Sequence, residues 1–386
     1  MGKRNKKPVV IIDSFNLYYA LTGIRTYIMQ LCEAVEKNNE ELRADYIIIP
    51  DWRRANDSDF LKGRLSILKK LINHLSYFIW KQLILPLFIL FHRADVVICP
   101  DFVSPYFNFG RKILPVIHDV FFWELKSHYN PVWRNYFVKM IEASLHRNTL
   151  IIATSEYTKD KIEKFMSPDL PIEVVYQCAK PLQVNEDIEH DVLNKFGLEQ
   201  KGYFLHVGYF DKRKNLPLLI RAFGMFLGEN PTSTLKLVLA GSRGLSDALD
   251  DYDIILHLIN DLHLNDRVCL TGFISDEALA ILYSHANCFV FPSYDEGFGI
   301  PVLEAMNFNL PVIISNRGAS SEIAKEACLV FESTSEMELS LMMKKVQNGE
   351  VRSQLVEKGK IRRMHFTQQQ FIQQFDRLIY KYMNDK

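Results

Sequence analysis

The stretch Phe289–Ile314, FVFPSYDEGFGIPVLEAMNFNLPVII, decides how the rest of the chain is read. Cys288 to Phe291 is a short apolar run of the kind that forms a buried strand. Pro292 to Asp295 reads as a turn, and Pro301 marks the start of a helix, because proline lacks an N–H that would be unpaired there anyway. Glu296, Gly297 and Gly299 precede that helix, and Glu304 lies about one turn inside it. Two carboxylates and two glycines therefore converge on a helix N-terminus. Such an end carries partial positive charge and free N–H donors and suits an anion such as phosphate.

Working outward, short apolar runs alternate with helical patterns along the whole chain. Strands are expected at Val9–Ile12, Ala44–Ile49, Val96–Cys99, Ile113–Ile117, Leu150–Ala153 and Ile172–Tyr176. Between them, Gly23–Lys37, Val132–His146 and Glu156–Phe165 have helical spacing. Lys180–Lys201 is polar and reads as a linker with a small helix. The alternation then restarts at Tyr203–Val207 and runs to a helical tail, Glu336–Met383. This pattern predicts an α/β protein with two doubly wound parallel-sheet domains facing a cleft. The expected bounds are 1–180, a linker at 181–201, a second domain at 202–365, and a C-terminal helix at 366–386 packing back on the first.

Lys+Arg and Asp+Glu are both 46, so global charge gives no reason to bind nucleic acid. The six cysteines are scattered without a CxxC pair and read as buried thiols in a reducing compartment. The apolar run after the basic start stops at Asp13, too short for a signal peptide, so a cytoplasmic location is expected. Leu61–Phe91 is the most membrane-like segment, but Lys69, Lys70, Lys81 and Pro86 interrupt it. Trp80–Phe91 is expected to be a buried helix. Leu61–Phe78 is either buried too or a peripheral membrane contact, with Lys62, Arg64, Lys69 and Lys70 towards anionic headgroups at the inner face of the cell membrane.

A second signal follows the Tyr203–Val207 strand: Gly208, then Lys212-Arg213-Lys214 just before a helix. Cations are unfavourable at a helix N-terminus. A bound diphosphate would explain them; a solvated basic turn is the alternative. The spacing is not G-x-G-x-x-G, so a dinucleotide fold is not indicated. His118-Asp119 lies at a strand end, where an isolated pair is more often simply satisfied.

Together these residues resemble glycosyltransferase family 4, retaining nucleotide-sugar enzymes of the GT-B fold, built from two Rossmann-like domains. Glu296 and Glu304 match the family's E-x7-E motif, flanked by Pro292-Ser293 and Pro311-Val312-Ile313. Thr22-Gly23-Ile24 resembles its N-terminal glycine loop. Trp80-Lys81-Gln82, His118-Asp119 and Gly272-Phe273 are similar to its bacterial mannosyl- and rhamnosyltransferase branch. The resemblance implies that Arg213 and Lys214 hold the donor diphosphate, and that Glu304 accepts hydrogen bonds from the ribose. It implies that Glu296 and the amides of Phe298, Gly299 and Ile300 contact sugar and phosphate. His118 would face sugar and acceptor, and Gly23 would admit the phosphate. Tyr209, Asn309 and Gln177-Cys178 depart from the family's usual residues; asparagine tolerates the left-handed turn expected at 309.

The expected function is a retaining hexosyltransferase that uses a nucleoside-diphosphate sugar, with GDP-mannose favoured, on a glycan or lipid-linked saccharide. No cofactor or metal is expected, since Asp250-Asp251-Tyr252-Asp253 reads as a solvated helix start. A GT-B phosphorylase, a nucleotide-sugar epimerase and a non-catalytic carbohydrate-binding protein are the alternatives.

Overall fold

The computed structural model describes residues 7–21, 23–57, 67–126, 129–166, 169–244 and 249–384. Thr22 and the 61–66 part of the expected membrane contact, with Lys62 and Arg64, lie outside them. The described chain divides into two units, 1–178 with 366–386, and 179–365.

In the first unit the strands are β1 (Val9–Asp13), β2 (Asp45–Ile49), β3 (Val96–Cys99), β4 (Lys112–Ile117), β5 (Ile151–Ala153) and β6 (Ile172–Val174). They form one parallel sheet in the order β2-β1-β3-β4-β5-β6. Its helices are α1 (Gly23–Asn38), α2 (Trp52–Asp57), α3 (Ile67–Ile79), α4 (Leu85–Phe91), α5 (Phe121–Glu124), α6 (Pro131–Ser144) and α7 (Glu156–Phe165). A π-turn, Trp80–Ile84, joins α3 to α4. Nearly continuous apolar strands show why the sheet is covered on both faces: β3 is buried at every position.

The second unit begins with α8 (Glu189–Phe196), then β7 (Tyr203–Val207), α9 (Leu216–Glu229), β8 (Lys236–Ala240), α10 (Tyr252–Asp261), β9 (Val268–Gly272), α11 (Asp276–His285) and β10 (Cys288–Phe291). It continues with α12 (Ile300–Asn307), β11 (Val312–Ser315), α13 (Ser320–Ala324), β12 (Leu329–Phe331), α14 (Glu336–Lys345) and α15 (Gly349–Arg363). Read from the other edge, the sheet order is β9-β8-β7-β10-β11-β12. That is the dinucleotide-domain order, with its switch point between β7 and β10. The 181–201 stretch, expected as a linker, belongs to this unit: Glu189 Oε1 in α8 lies 2.9 Å from His285 Nε2 in α11.

The last helix, α16 (Gln368–Asn384), is built into the first unit's core. Phe371 and Phe375 are buried there, Phe371 against Tyr27 of α1. Asp376 also accepts the Arg43 amide at 3.0 Å. All six cysteines are free thiols. Asn309 adopts the left-handed conformation, φ 55°, and so closes the turn after α12.

One expectation fails. Trp80–Phe91 is not a buried helix: Trp80, Lys81, Gln82, Leu85 and Ile89 are buried, but Leu83, Leu87, Leu90 and Phe91 are exposed. Pro86 does not break the helix: it falls in the first turn of α4, directly after the π-turn, a position that proline tolerates.

Candidate nucleotide-sugar site

The second unit's site grows from the two strands that flank its switch point. β7 ends at Val207, and the chain turns through Gly208 into the short 3₁₀ turn Lys212–Lys214. β10 ends at Phe291, and the chain runs through Ser293 and Glu296 to Gly299 and α12. These loops are joined by the Tyr294 amide, which donates to the Arg213 carbonyl at 2.7 Å. Asn215, in the left-handed conformation, donates to the carbonyls of Pro292 and Ser333 at 3.3 and 2.9 Å.

At the centre, Lys214 Nζ lies 2.6 Å from Glu296 Oε1 and 4.9 Å from the Phe291 ring centroid. Both charged side chains remain partly exposed. A pair of this kind holds an ammonium in place beside a position where a second anion can bind it. Gly208 leaves room here, since a Cβ on it would meet Lys214 Cε at 3.3 Å and His206 Nε2 at 3.5 Å. Gly241, just past β8, lies against Gly208; a Cβ there would come within 1.8 Å of the Gly208 carbonyl oxygen.

His206 was not singled out from sequence. It is buried, and its Nδ1 lies 3.0 Å from the Val290 carbonyl. A carbonyl only accepts, so Nδ1 carries the proton and Nε2 is a bare lone pair, with no hydrogen-bond partner among the described residues. Burial, and then the Lys214 charge, push its pKa down to about 3, so the ring stays neutral. Ser320, at the start of α13, was also missed. Its buried Oγ has no hydrogen-bond partner among the described residues and would lie 3.0 Å from a Cβ on Gly299. Gly299 has φ 103°, a conformation that favours glycine. The Gly-Ala-Ser run after β11 was the available signal, a small-residue turn opening a helix.

The other anticipated residues fall in distinct surroundings. Arg213 is drawn onto Asp211, its Nε and Nη2 donating to the two carboxylate oxygens at 3.0 and 3.1 Å. Phe298, Gly299 and Ile300 place their amides at the N-terminal end of α12. Glu304 is not an exposed helical glutamate: it is buried, and its Oε2 accepts from Tyr283 Oη at 3.0 Å. Burial raises its pKa to about 7, against the lowering effect of the Tyr283 hydrogen bond. Asp250 and Asp253 are both ion-paired with Arg243. No cluster of three potential metal ligands occurs among the described residues.

In the first unit, Gly23 opens α1, and His118 follows β4. His118 Nε2 lies 2.8 Å from the Pro100 carbonyl, and the ring stands edge-on to Tyr27. By the same logic the proton sits on Nε2 and Nδ1 is the acceptor. Burial pushes its pKa down to about 4, so it is neutral at physiological pH. Asp119 Oδ1 accepts the Phe121 amide at 3.1 Å.

Solved structures share this architecture. Sucrose-phosphate synthase from Thermosynechococcus elongatus superposes with a TM-score of 0.73 at 20% identity, covering 99% of this chain and 100% of that one. Anabaena HepE, solved with UDP and glucose, gives 0.68 at 14% identity, over 97% of this chain and 100% of its own. The fold is GT-B.

Residues 190–362 match the family described as glycosyl transferases group 1. O-antigen chain mannosyltransferase B of Escherichia coli is 27% identical over 341 residues, 83% of this chain and 86% of that protein. O-antigen chain mannosyltransferase RfbU of Salmonella typhimurium is 30% identical over 218 residues, 55% of this chain and 54% of that one. Fold, site and relatives together define a nucleotide-sugar-dependent glycosyltransferase. The stretch that matches the group 1 glycosyltransferases lies wholly within the second unit.

Proposed function

We propose that the protein is a retaining mannosyltransferase that moves mannose from GDP-mannose to a hydroxyl of a lipid-linked saccharide in the cytoplasm. The observation that carries the donor site is the Lys214–Glu296 pair, contributed by the two strands at the switch point, where α/β sheets bind ligands. The mannosyltransferase relatives support the choice of sugar.

In this reading Lys214 binds the donor diphosphate, whose phosphates compete with Asp211 for Arg213. Ribose hydroxyls donate to Glu304, and Glu296 meets the sugar. His206 Nε2, beside Gly208, and Ser320 Oγ, beside Gly299, supply an acceptor and a hydroxyl. The bond from sugar C1 to the diphosphate oxygen breaks while the acceptor oxygen bonds C1 from the same face. The acceptor's proton passes to the departing diphosphate, whose charge the two cations spread. In the first unit, His118 offers Nδ1 to a hydroxyl of the acceptor saccharide, and no metal takes part.

The test is transfer from GDP-mannose to a lipid-saccharide extract, with the product anomer read by NMR. Retained configuration and undiminished turnover in EDTA are expected. An inverted product contradicts the mechanism, and abolition by EDTA contradicts metal independence.

A further inference from the structure

The helix running from α3 through the π-turn to α4 has an outer face that the first unit does not cover. Leu71, Leu75, Phe78, Leu83, Leu87 and Leu90 are all exposed, Leu71 and Leu87 each at 64%, and the face ends at Phe91, 80% exposed. Successive steps between these six are four, three, five, four and three residues. The single step of five spans the π-turn Trp80–Ile84. In an uninterrupted α-helix each residue advances about 100°, so a stripe beginning at Leu71 would continue through position 82 and then 85 and 89. Those are the buried Gln82, Leu85 and Ile89. The extra residue of the π-turn resets the phase. One apolar stripe is thereby kept on the outside along the whole helix, while Lys81 and Gln82 are turned inward.

The inner face is committed. Lys81 Nζ lies 2.6 Å from Asp13 and 2.5 Å from Asp101, and all three are buried. Trp80 Nε1 donates to Asp13 at 2.8 Å, and Tyr77 Oη to Asp101 at 2.6 Å. Leu71–Phe91 is long and apolar enough to cross a membrane. A helix bound to a sheet by a buried ion triad has only its other side to offer, which suits lying on a bilayer and not crossing it.

Charge selects the kind of bilayer. From Ile67 to Arg93 there is no aspartate or glutamate, whereas Lys69 and Arg93 are exposed at the two ends. Adjoining elements extend the same character. The Tyr106 amide donates to Gln82 at 2.8 Å, bringing alongside the loop that exposes Phe107 and Phe109. Apolar and aromatic side chains flanked by cations and free of carboxylates fit an anionic lipid surface.

We infer that this face docks the first unit onto an anionic lipid bilayer, holding the enzyme where a lipid-carried acceptor lies. The meaning of the contact rests on the transferase reading above; its existence does not.

Purified protein is co-sedimented with phosphatidylcholine vesicles, with and without phosphatidylglycerol, and calorimetric titration with GDP is run on the same preparation. The wild type is expected to pellet with the anionic vesicles and to be released by high salt. Leu75→Glu with Leu87→Glu, both at exposed positions, is expected to lower vesicle affinity about tenfold or more while the thermal melt stays unchanged. Failure to bind anionic vesicles, equal binding to neutral ones, or binding that the double variant leaves intact overturns the inference. So does a wild-type dimer in sedimentation equilibrium that the double variant dissociates. GDP binding without vesicle binding defeats this inference alone; vesicle binding without GDP binding defeats only the donor reading.

Discussion

Each unit has a switch point in its sheet, and the two are put to opposite uses. In the second unit it lies between β7 and β10, and the chain leaves there a partly exposed Lys214–Glu296 pair, a bare imidazole nitrogen on His206 and a Ser320 hydroxyl without a partner among the described residues. In the first unit it lies between β1 and β3, where Asp13 ends β1 and Asp101 follows β3. That position is closed by Lys81, delivered from the π-turn and fully buried. Burial alone would lower the Lys81 pKa, but Asp101 and Asp13 outweigh it and hold the ammonium protonated. The same topological position thus keeps its charges accessible in the second unit, where the donor site is proposed, and seals them as a structural anchor in the first.

Breaking the sealed triad should have the largest effect on stability. Lys81→Met leaves two buried carboxylates uncompensated and is expected to cost about 3–5 kcal/mol by denaturant titration, with GDP affinity unchanged. Neutralising all three groups together (Asp13→Asn, Lys81→Met, Asp101→Asn) should restore much of that loss; a stability as low as that of the single variant would show that the triad is not the cause. At the open switch point the effect should fall on turnover. Lys214→Ala is expected to lower the transfer rate about 100- to 1000-fold with little change in melting temperature. Glu296→Gln should lower transfer about 10- to 100-fold while GDP, which lacks the sugar, binds as before; a parallel loss of GDP affinity would move Glu296 from the sugar to the diphosphate.

The smallest effect is a pH dependence. The Glu304 carboxyl is raised from its ordinary 4.5 to about 7 in the fold. The folded chain therefore keeps a proton that the unfolded chain has lost, and this group's contribution to stability falls as pH rises from about 4.5 through about 7. Ribose hydroxyls bind the ionised form better, so GDP affinity should rise a few-fold between about pH 6 and pH 8. Glu304→Gln should flatten that rise; an unchanged slope would place the titrating group elsewhere.

Much of the second unit was legible in the sequence. Short apolar strands announce a sheet covered on both faces, and Cys288–Phe291 and Asp276–His285 coincide with β10 and α11. Glu296 and Lys214, 82 residues apart, meet because β7 and β10 are neighbours. Local spacing could not reveal that Tyr283 would bury Glu304, since that depends on which helices pack together; the Asp211–Arg213 pair, two residues apart in one turn, is local. The first unit was harder for a definite reason. Helical periodicity assumes a constant turn, and one extra residue at Trp80–Ile84 changes which side of the helix every later residue faces. Pro86 drew attention as a break, although the phase change just before it is what matters.

The central claim is that Lys214 at the open switch point holds the diphosphate of a guanine-nucleotide donor. Calorimetric titration of the wild type and Lys214→Ala with GDP, UDP, dTDP and ADP tests it most directly. GDP is expected to bind the wild type at least about tenfold more tightly than the other three, and Lys214→Ala to lose about tenfold or more of that affinity. Equal GDP binding by the two proteins would contradict the site, and a preference for another nucleotide would contradict the donor.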